Sequence, residues 1–399
     1  MSGKRDKRLQ TLRFIWLHLR NWRNFTGADL NLPLRVFVVG PNASGKSNLL
    51  DVFLFLKDVA SEGKGLQEAV RRRGGIKAIR ALGARRKSEI EVTVRVGKPD
   101  AKSREDFLWE YTLVFNQDNR RKAVIRKERV VRRDPETGEI STLLDRPDEY
   151  DREDPERLYQ THLEQVTMNR EFRDLVRFFE SVKYLHVVPQ IIRNSDRYAG
   201  GADDPYGGDF LEKLARTNTK TRRARLKRIL EALKIAVPNL ERLELFKDKT
   251  GVPHLRGKYR HWRARGAWQT EEQFSDGTLR LIGLLWSILE ERGPLLLEEP
   301  ELSLHPAVVR SIPYMFAQVQ RRTKRQIIVS THSFDMLRDE GIGPGEVVLL
   351  LPHKDGTQVT VMRNIEEARY LLESGMDVGE LALQFTTPEK IEKLAEFGK

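Results

Sequence analysis

The chain has 399 residues, 39% hydrophobic and 32% charged, enough apolar material for a buried core under a densely charged surface. Its 71 Lys and Arg exceed its 58 Asp and Glu, giving a formal net charge of +13, a basic excess that attracts nucleic acid or anionic surfaces. There is no cysteine, which excludes disulfides and thiolate metal sites, and no apolar run reaches the roughly 18–20 residues of a membrane span. The length allows two or three domains, or one large domain with insertions. The basic N-terminus lacks the apolar stretch of a secretory signal, so a cytoplasmic location is expected.

In chain order, residues 11–20 read as an edge or second strand and 34–39 (LRVFVV) as a buried strand. A glycine turn follows, and apolar residues at helical spacing predict a helix from near Ser47. A basic loop spans 71–87. Three strand-like runs at 89–96, 107–115 and 122–131 predict an antiparallel sheet. Residues 133–158, polar and charged, read as a loop, 160–181 as helix and 182–189 as strand. Two helices around a polar turn are expected over 209–236, then short hairpin strands. The C-terminal part reads as helix (278–291), buried strand (GPLLLEE), helix, buried strand (RQIIVSTH) and a hairpin. The fold class is thus α/β, its two core halves far apart in sequence, with an antiparallel β subdomain and an inserted helical lobe. The expected division is 1–132, a lobe over 133–265 and 266–399.

The segment Gly40-Pro41-Asn42-Ala43-Ser44-Gly45-Lys46-Ser47 satisfies G-x-x-x-x-G-K-[ST] between an apolar strand and a helix. Its glycines let backbone N–H groups converge on phosphates, and the helix N-terminus adds partial positive charge. Lys46 is assigned to the β- and γ-phosphates and the Ser47 hydroxyl to Mg²⁺; Asn48 completes the nucleotide-binding turn.

A second apolar strand, LLLEEPE, delivers Glu298 and Glu299 to its end. The first acid suits Mg²⁺ and the second an attacking water. Alone, such a pair is equally a solvated acidic turn. Phe274-Ser275-Asp276-Gly277-Thr278 precedes a helix, where Ser275 or Thr278 serves as N-cap and the turn also offers a second phosphate-binding surface. His332, at the end of IIVSTH, is placed either structurally or to meet a γ-phosphate.

Taken together, GPNASGKS, FSDGT, LLLEEPELSLHP and STHS resemble the ABC-type ATPases, in the branch holding RecF, SMC heads and the OLD-family ATPases. LRNWRNF, RRRGGI and LESGMDVGELALQF are similar to a bacterial group of AAA-type ATPases. The resemblance implies a P-loop ABC-ATPase head that binds ATP and Mg²⁺ between two copies arranged head to tail. Lys46 and Ser47 of one copy would then face Ser275 and Gly277 of the other, with Asp276 where transporters carry glycine. It further implies Glu299 as catalytic acid, Glu298 on the Mg²⁺ side, His332 as switch histidine and 302–306 as the D-loop. Gln190 is the candidate Q-loop residue, facing nucleotide and Mg²⁺; a surface glutamine is the alternative.

Partners follow from the same two sources. Basic tracts at 71–87, 219–228 and 256–265, the last interleaved with Tyr259 and Trp262, suit phosphate contacts and stacking, or solvated surface, or acidic protein. The strand TQVTVMR ends at 363 of 399, leaving too little chain for the nuclease domain of OLD relatives. The resemblance therefore implies a separate effector, commonly a nuclease, in phage defence. A RecF-like repair clamp and a nucleotide-binding scaffold with little turnover are the alternatives.

Overall fold

The computed structural model describes residues 12–84, 88–194, 204–260, 267–290, 293–388 and 391–396. The first half runs β1 (Arg13–Trp22), β2 (Phe25–Asn31), β3 (Arg35–Val39), α1 (Lys46–Ala60), α2 (Gly65–Arg72), β4 (Ile90–Gly97), β5 (Phe107–Gln117), β6 (Ala123–Arg133) and β7 (Ile140–Arg146). All but β3 form an antiparallel sheet of order β2-β1-β4-β5-β6-β7. A bulge between Phe14 and Trp16 breaks the period of two, so Phe14, Leu17 and Leu19 all enter one core.

Further on come α3 (Arg173–Glu180), β8 (Lys183–Leu185), α4 (Pro189–Arg193), α5 (Phe210–Arg216) and α6 (Thr219–Ala236). The strands β9 (Leu240–Lys247), β10 (Pro253–Tyr259) and β11 (Ala267–Thr270) make a small antiparallel sheet. The chain then forms α7 (Asp276–Leu289), β12 (Leu295–Glu298), α8 (Pro306–Thr323), β13 (Ile327–Thr331), β14 (Val347–His353) and β15 (Gly356–Val361).

The central sheet has the order β15-β14-β3-β13-β12-β8, parallel except for β15. Every residue of β3 is buried, as expected of a strand covered on both faces. Val36 and Val38 join the core shared with α1 and the antiparallel sheet; Phe37 and Val39 join the opposite core, with α7 and α8. Alternate residues of one strand thus feed two cores, which makes the parallel sheet the middle layer.

The stretch 133–158 is not the loop its polarity suggests. Ile140–Arg146 pairs with β6, and a short helix follows at Glu149–Glu153. The reason is a buried ion cluster. Arg146 reaches Glu128 at 2.9 Å and Asp151 at 2.7 Å, all three side chains fully buried. Burial opposes the charge on Asp151, yet hydrogen bonds from Arg146 and the Asp148 N–H hold its carboxyl well below the usual range. Likewise, 160–181 is helical only over α3, after turns and a short 3-10 segment. The strands β7 and β8 both fall within the expected 133–265 lobe, yet each belongs to a sheet of the head.

Removing one partner of a buried ion cluster strands the others. Arg146→Ala is expected to destabilise the protein by about 3–5 kcal/mol, read from the urea unfolding midpoint. A change near the ~0–1 kcal/mol of a surface pair would show the cluster to be inconsequential.

Candidate active site

The phosphate-binding turn joins the end of β3 to α1. Gly45 caps the helix at φ 96°, and a Cβ there would collide with the Asn24 side chain. Both the left-handed backbone and the close approach require glycine. Lys46 is 6% exposed and folds back, its Nζ donating to the carbonyls of Gly40 (2.9 Å) and Pro41 (3.1 Å). Burial lowers its pKa, while the carboxylates of Glu299, Glu298 and Glu301 raise it. The Ser44 hydroxyl is buried without a hydrogen-bond partner. A buried cation held only by backbone carbonyls, an orphaned hydroxyl and a glycine-lined cradle fit a bound triphosphate.

The turn is braced from outside. Asn24 Nδ2 donates to the Ser44 carbonyl at 2.7 Å, as does the Thr357 hydroxyl at 2.9 Å. Asn48 Nδ2 donates to Asn24 Oδ1 at 2.8 Å, and Trp22 Nε1 to the Asn48 carbonyl at 3.0 Å. Arg23 pairs with Asp51 on α1 at 2.9 Å. The stretch LRNWRNF, which sequence reasoning noticed without giving it a task, therefore clamps the loop and its helix.

Parallel pairing aligns the strand ends that carry the other groups. Glu298 ends β12, and its carboxylate bonds the Ser47 hydroxyl on one oxygen and the Tyr184 hydroxyl on the other. His186 Nδ1 lies 3.2 Å from the Glu298 carbonyl. Burial raises the pKa of Glu298, Ser47 lowers it, and neighbouring Glu299 raises it. The Ser47–Glu298 pair is the oxygen set that suits Mg²⁺. Glu299 sits at φ 44°, its N–H donating to the Ser330 carbonyl at 2.9 Å. This left-handed residue turns its carboxylate to within 3.3 Å of His332 Nε2. Burial and then the Lys46 charge lower the His332 pKa, against the pull of Glu299. Lys46, Glu298, Glu299 and His332 thus share one cluster.

Ser275 caps α7, its Oγ accepting from the Thr278 N–H at 3.2 Å. Asp276 is tied within the chain, to Arg193 at 2.6 Å and to Gln190 Nε2 at 3.1 Å. Gln190 is therefore engaged with the Ser275–Thr278 turn, the signature turn of the resemblance, rather than with Ser47 and Glu298; Tyr184 and His186 occupy that side. Gly277 lies against the following turn: a Cβ would fall 2.5 Å from the Ser303 carbonyl. Among the described residues, no hydrogen bond or ion pair joins Ser275, Asp276 or Gly277 to the phosphate turn.

The basic tracts separate by partner. Arg71 and Arg72 pair with Glu68, and Arg73 with Asp51 and Asp58. Arg256 pairs with Glu244 and Arg260 with Glu241. Trp262 lies outside the described residues, as do Arg85, Arg86 and Lys87. On α6, Arg222 donates to carbonyls ending α5, but Lys220, Arg223, Lys227 and Arg228 are exposed and have no ion pair among the described residues.

A strand–phosphate turn–helix at the middle of a parallel sheet, with an acidic pair, a histidine and a separate capped turn, has the layout of an ABC-type ATPase head. Residues 35–338 match the family described as "AAA domain, putative AbiEii toxin, Type IV TA system", and the chain belongs to that family. Solved structures give the same fold. An Smc head bound to the C-winged helix domain of ScpA aligns at 14% identity over 87% of this chain and 97% of that chain, TM-score 0.53. The Smc head domain with an extended coiled coil, bound to the C-terminal domain of ScpA from Pyrococcus furiosus, aligns at 14% identity over 91% and 99%, TM-score 0.50. No curated protein matches. The chain is an ATPase.

Asn24→Ala removes hydrogen bonds to the Ser44 carbonyl and to Asn48. At about 1 kcal/mol each, nucleotide affinity should fall by at least ~10-fold, measured by titration calorimetry under non-hydrolysing conditions. Unchanged affinity would show that the loop holds its shape unaided.

Proposed function

We propose that the chain acts as a head-to-tail pair, each copy completing the other's ATP site, and that this pairing serves as a sensor or clamp on nucleic acid. A separate effector protein, a nuclease by the resemblance, would deliver the response in anti-phage defence. One observation carries the pairing. The phosphate turn and the signature turn are each fully formed, but the signature turn's bonds run to α4 and its own first turn, leaving Ser275 exposed. A helix N-terminus carries partial positive charge that favours an anion, and here it faces outward rather than toward the chain's own phosphate turn.

In this reading Lys46 and the loop N–H groups hold the triphosphate, while Ser275 and Gly277 of a second copy cover its γ-phosphate. Ser47 and Glu298 would hold Mg²⁺, which neutralises phosphate charge and polarises the phosphoryl oxygens when bound. Glu299 accepts the proton of the attacking water. His332, beside it, orients that carboxylate. Binding favours the pair and hydrolysis releases it, so turnover runs a switch. Gln190, bonded to Asp276, would tie α4 to the signature turn rather than serve as the Q-loop ligand of Mg²⁺.

The nucleic-acid part rests on α6, whose Lys220, Arg223 and Lys227 recur at helical spacing on one face. The family description, a toxin–antitoxin system, supports action beside a partner protein. No helix among the described residues is long and apolar enough to cross a membrane.

Glu299→Gln should lower turnover by about 10²-fold or more while ATP-bound dimers accumulate in light scattering; a persistent monomer at saturating ATP would overturn the pairing. For nucleic acid, Lys220, Arg223 and Lys227 replaced together by Ala should flatten the log–log salt dependence of duplex binding by about 3, followed by fluorescence anisotropy. An unaltered slope would remove α6 from the interface.

A further inference from the structure

Beneath the signature turn lie two opposite charges that do not meet. Arg280, in the second turn of α7, is 8% exposed, and neither its Nε nor its Nη1 has a hydrogen-bond partner. Glu301 is 7% exposed. Its Oε1 accepts from the Thr331 hydroxyl at 2.6 Å and the His332 N–H at 3.0 Å, whereas its Oε2 has no partner. A buried guanidinium and a buried carboxylate oxygen are each strongly unfavourable when unpaired, and relieve one another by pairing.

Elimination selects the pair. Arg280 feels the attraction of Asp276, Glu299 and Glu301. Asp276 is already committed to Arg193 and Gln190, and Glu299 faces His332. Only Glu301 offers a buried, uncommitted oxygen. Glu301 belongs to the turn 299–305, which holds left-handed Glu299 and Ser303. It abuts Gly277 so closely that a Cβ there would fall 2.5 Å from the Ser303 carbonyl. Displacing the signature turn must therefore displace this loop too.

We infer that Arg280 and Glu301 are the two halves of an in-chain latch, which closes when the signature turn engages the nucleotide of a second copy. The inference rests on the head-to-tail pairing. Closed, Arg280 binds Glu301 Oε2, while Oε1 keeps Thr331 and the His332 N–H. The loop that carries His332 is then fixed, and with it the imidazole that faces Glu299. Occupancy of the neighbour's site is passed to the chain's own catalytic pair. Both latch members are positioning residues, for neither touches nucleotide.

The test uses the full chain carrying Arg280→Met, Glu301→Gln and both, with turnover and ATP-dependent dimerisation measured on each. Each single change should lower kcat about tenfold with KM nearly unchanged, and the double change no further, because both break one interaction. Arg280→Lys should restore part of the rate. Effects that multiply, an equal rise in KM, or no rescue by Lys overturn the latch. Hydrogen exchange gives an independent readout. In the Glu299→Gln background, ATP should slow exchange of the Thr331–Ser333 amides, and Arg280→Met should abolish that slowing. Protection that persists in a folded Arg280→Met dimer overturns the latch. If Arg280→Met does not fold, Glu301→Gln, which retains an acceptor for Thr331 and His332, serves in its place. Absence of any ATP-driven dimer from the unsubstituted chain overturns the pairing and the latch with it, whereas a dimer with multiplying effects overturns the latch alone.

Discussion

The structure depends on the insertion of β3 between β13 and β14. Arg35–Val39 pairs in register with Ile327–Thr331, and Phe37–Val39 with Val347–Leu349. These pairings join chain segments about three hundred residues apart, so a large loop-closure entropy must be overcome before any of them is rewarded. The apolar side chains of a strand buried on both faces supply that reward. Once β3 is seated, the phosphate turn leaves the same edge of the sheet as Glu298, Glu299 and His332. The geometry of the site is a by-product of strand register.

Charge is managed differently at the two ends of the molecule. In the antiparallel sheet, Arg146, Glu128 and Asp151 are satisfied by one another and hold β7 and the following helix in place. Around the phosphate turn, by contrast, like charges crowd together and several groups lack full satisfaction: the Ser44 hydroxyl, Ser330 Oγ, Glu301 Oε2 and Arg280 Nε. Unpartnered atoms also occur in the antiparallel sheet, at Arg20 Nε and Arg129 Nε, but around the phosphate turn they gather beside the groups that would meet a polyanion. The left-handed Glu299 belongs to the same economy of strain.

Local chemistry was legible in the sequence. The glycine turn, the acidic pair, the capped FSDGT turn and the strand-end histidine are short, and each is recognisable within a few residues. The parallel sheet was legible as apolar runs. What escaped reading was whatever needs a distant partner. Asn24 and Thr357 converge on one carbonyl although 333 residues separate them. Tyr184 and His186 meet Glu298 only because β8 flanks β12. Gln190 was legible as a glutamine after a strand, not as the ligand of Asp276. Residues 133–158 read as loop because charge was taken for exposure, and Arg146 reverses that equation. Two signals were present: a lone arginine in the otherwise apolar TLRLIGLLWSIL, and a third acid after the acidic pair. Neither could be interpreted without the other.

The clamp on Ser44 also carries a temporal consequence. One jaw, Asn24, lies between the first two strands of the sheet, and the other, Thr357, on β15, the last to join the central layer. A ribosome finishes the glycine turn early but delivers the second jaw only after more than three hundred further residues. Until then the turn has only the Asn24 half of its brace, and for most of that interval β3 also lacks its β13 and β14 neighbours. A half-made chain is therefore poorly suited to capture nucleotide or to pair with a finished copy. Under the proposed pairing, that delay would keep synthesis itself from being mistaken for a signal.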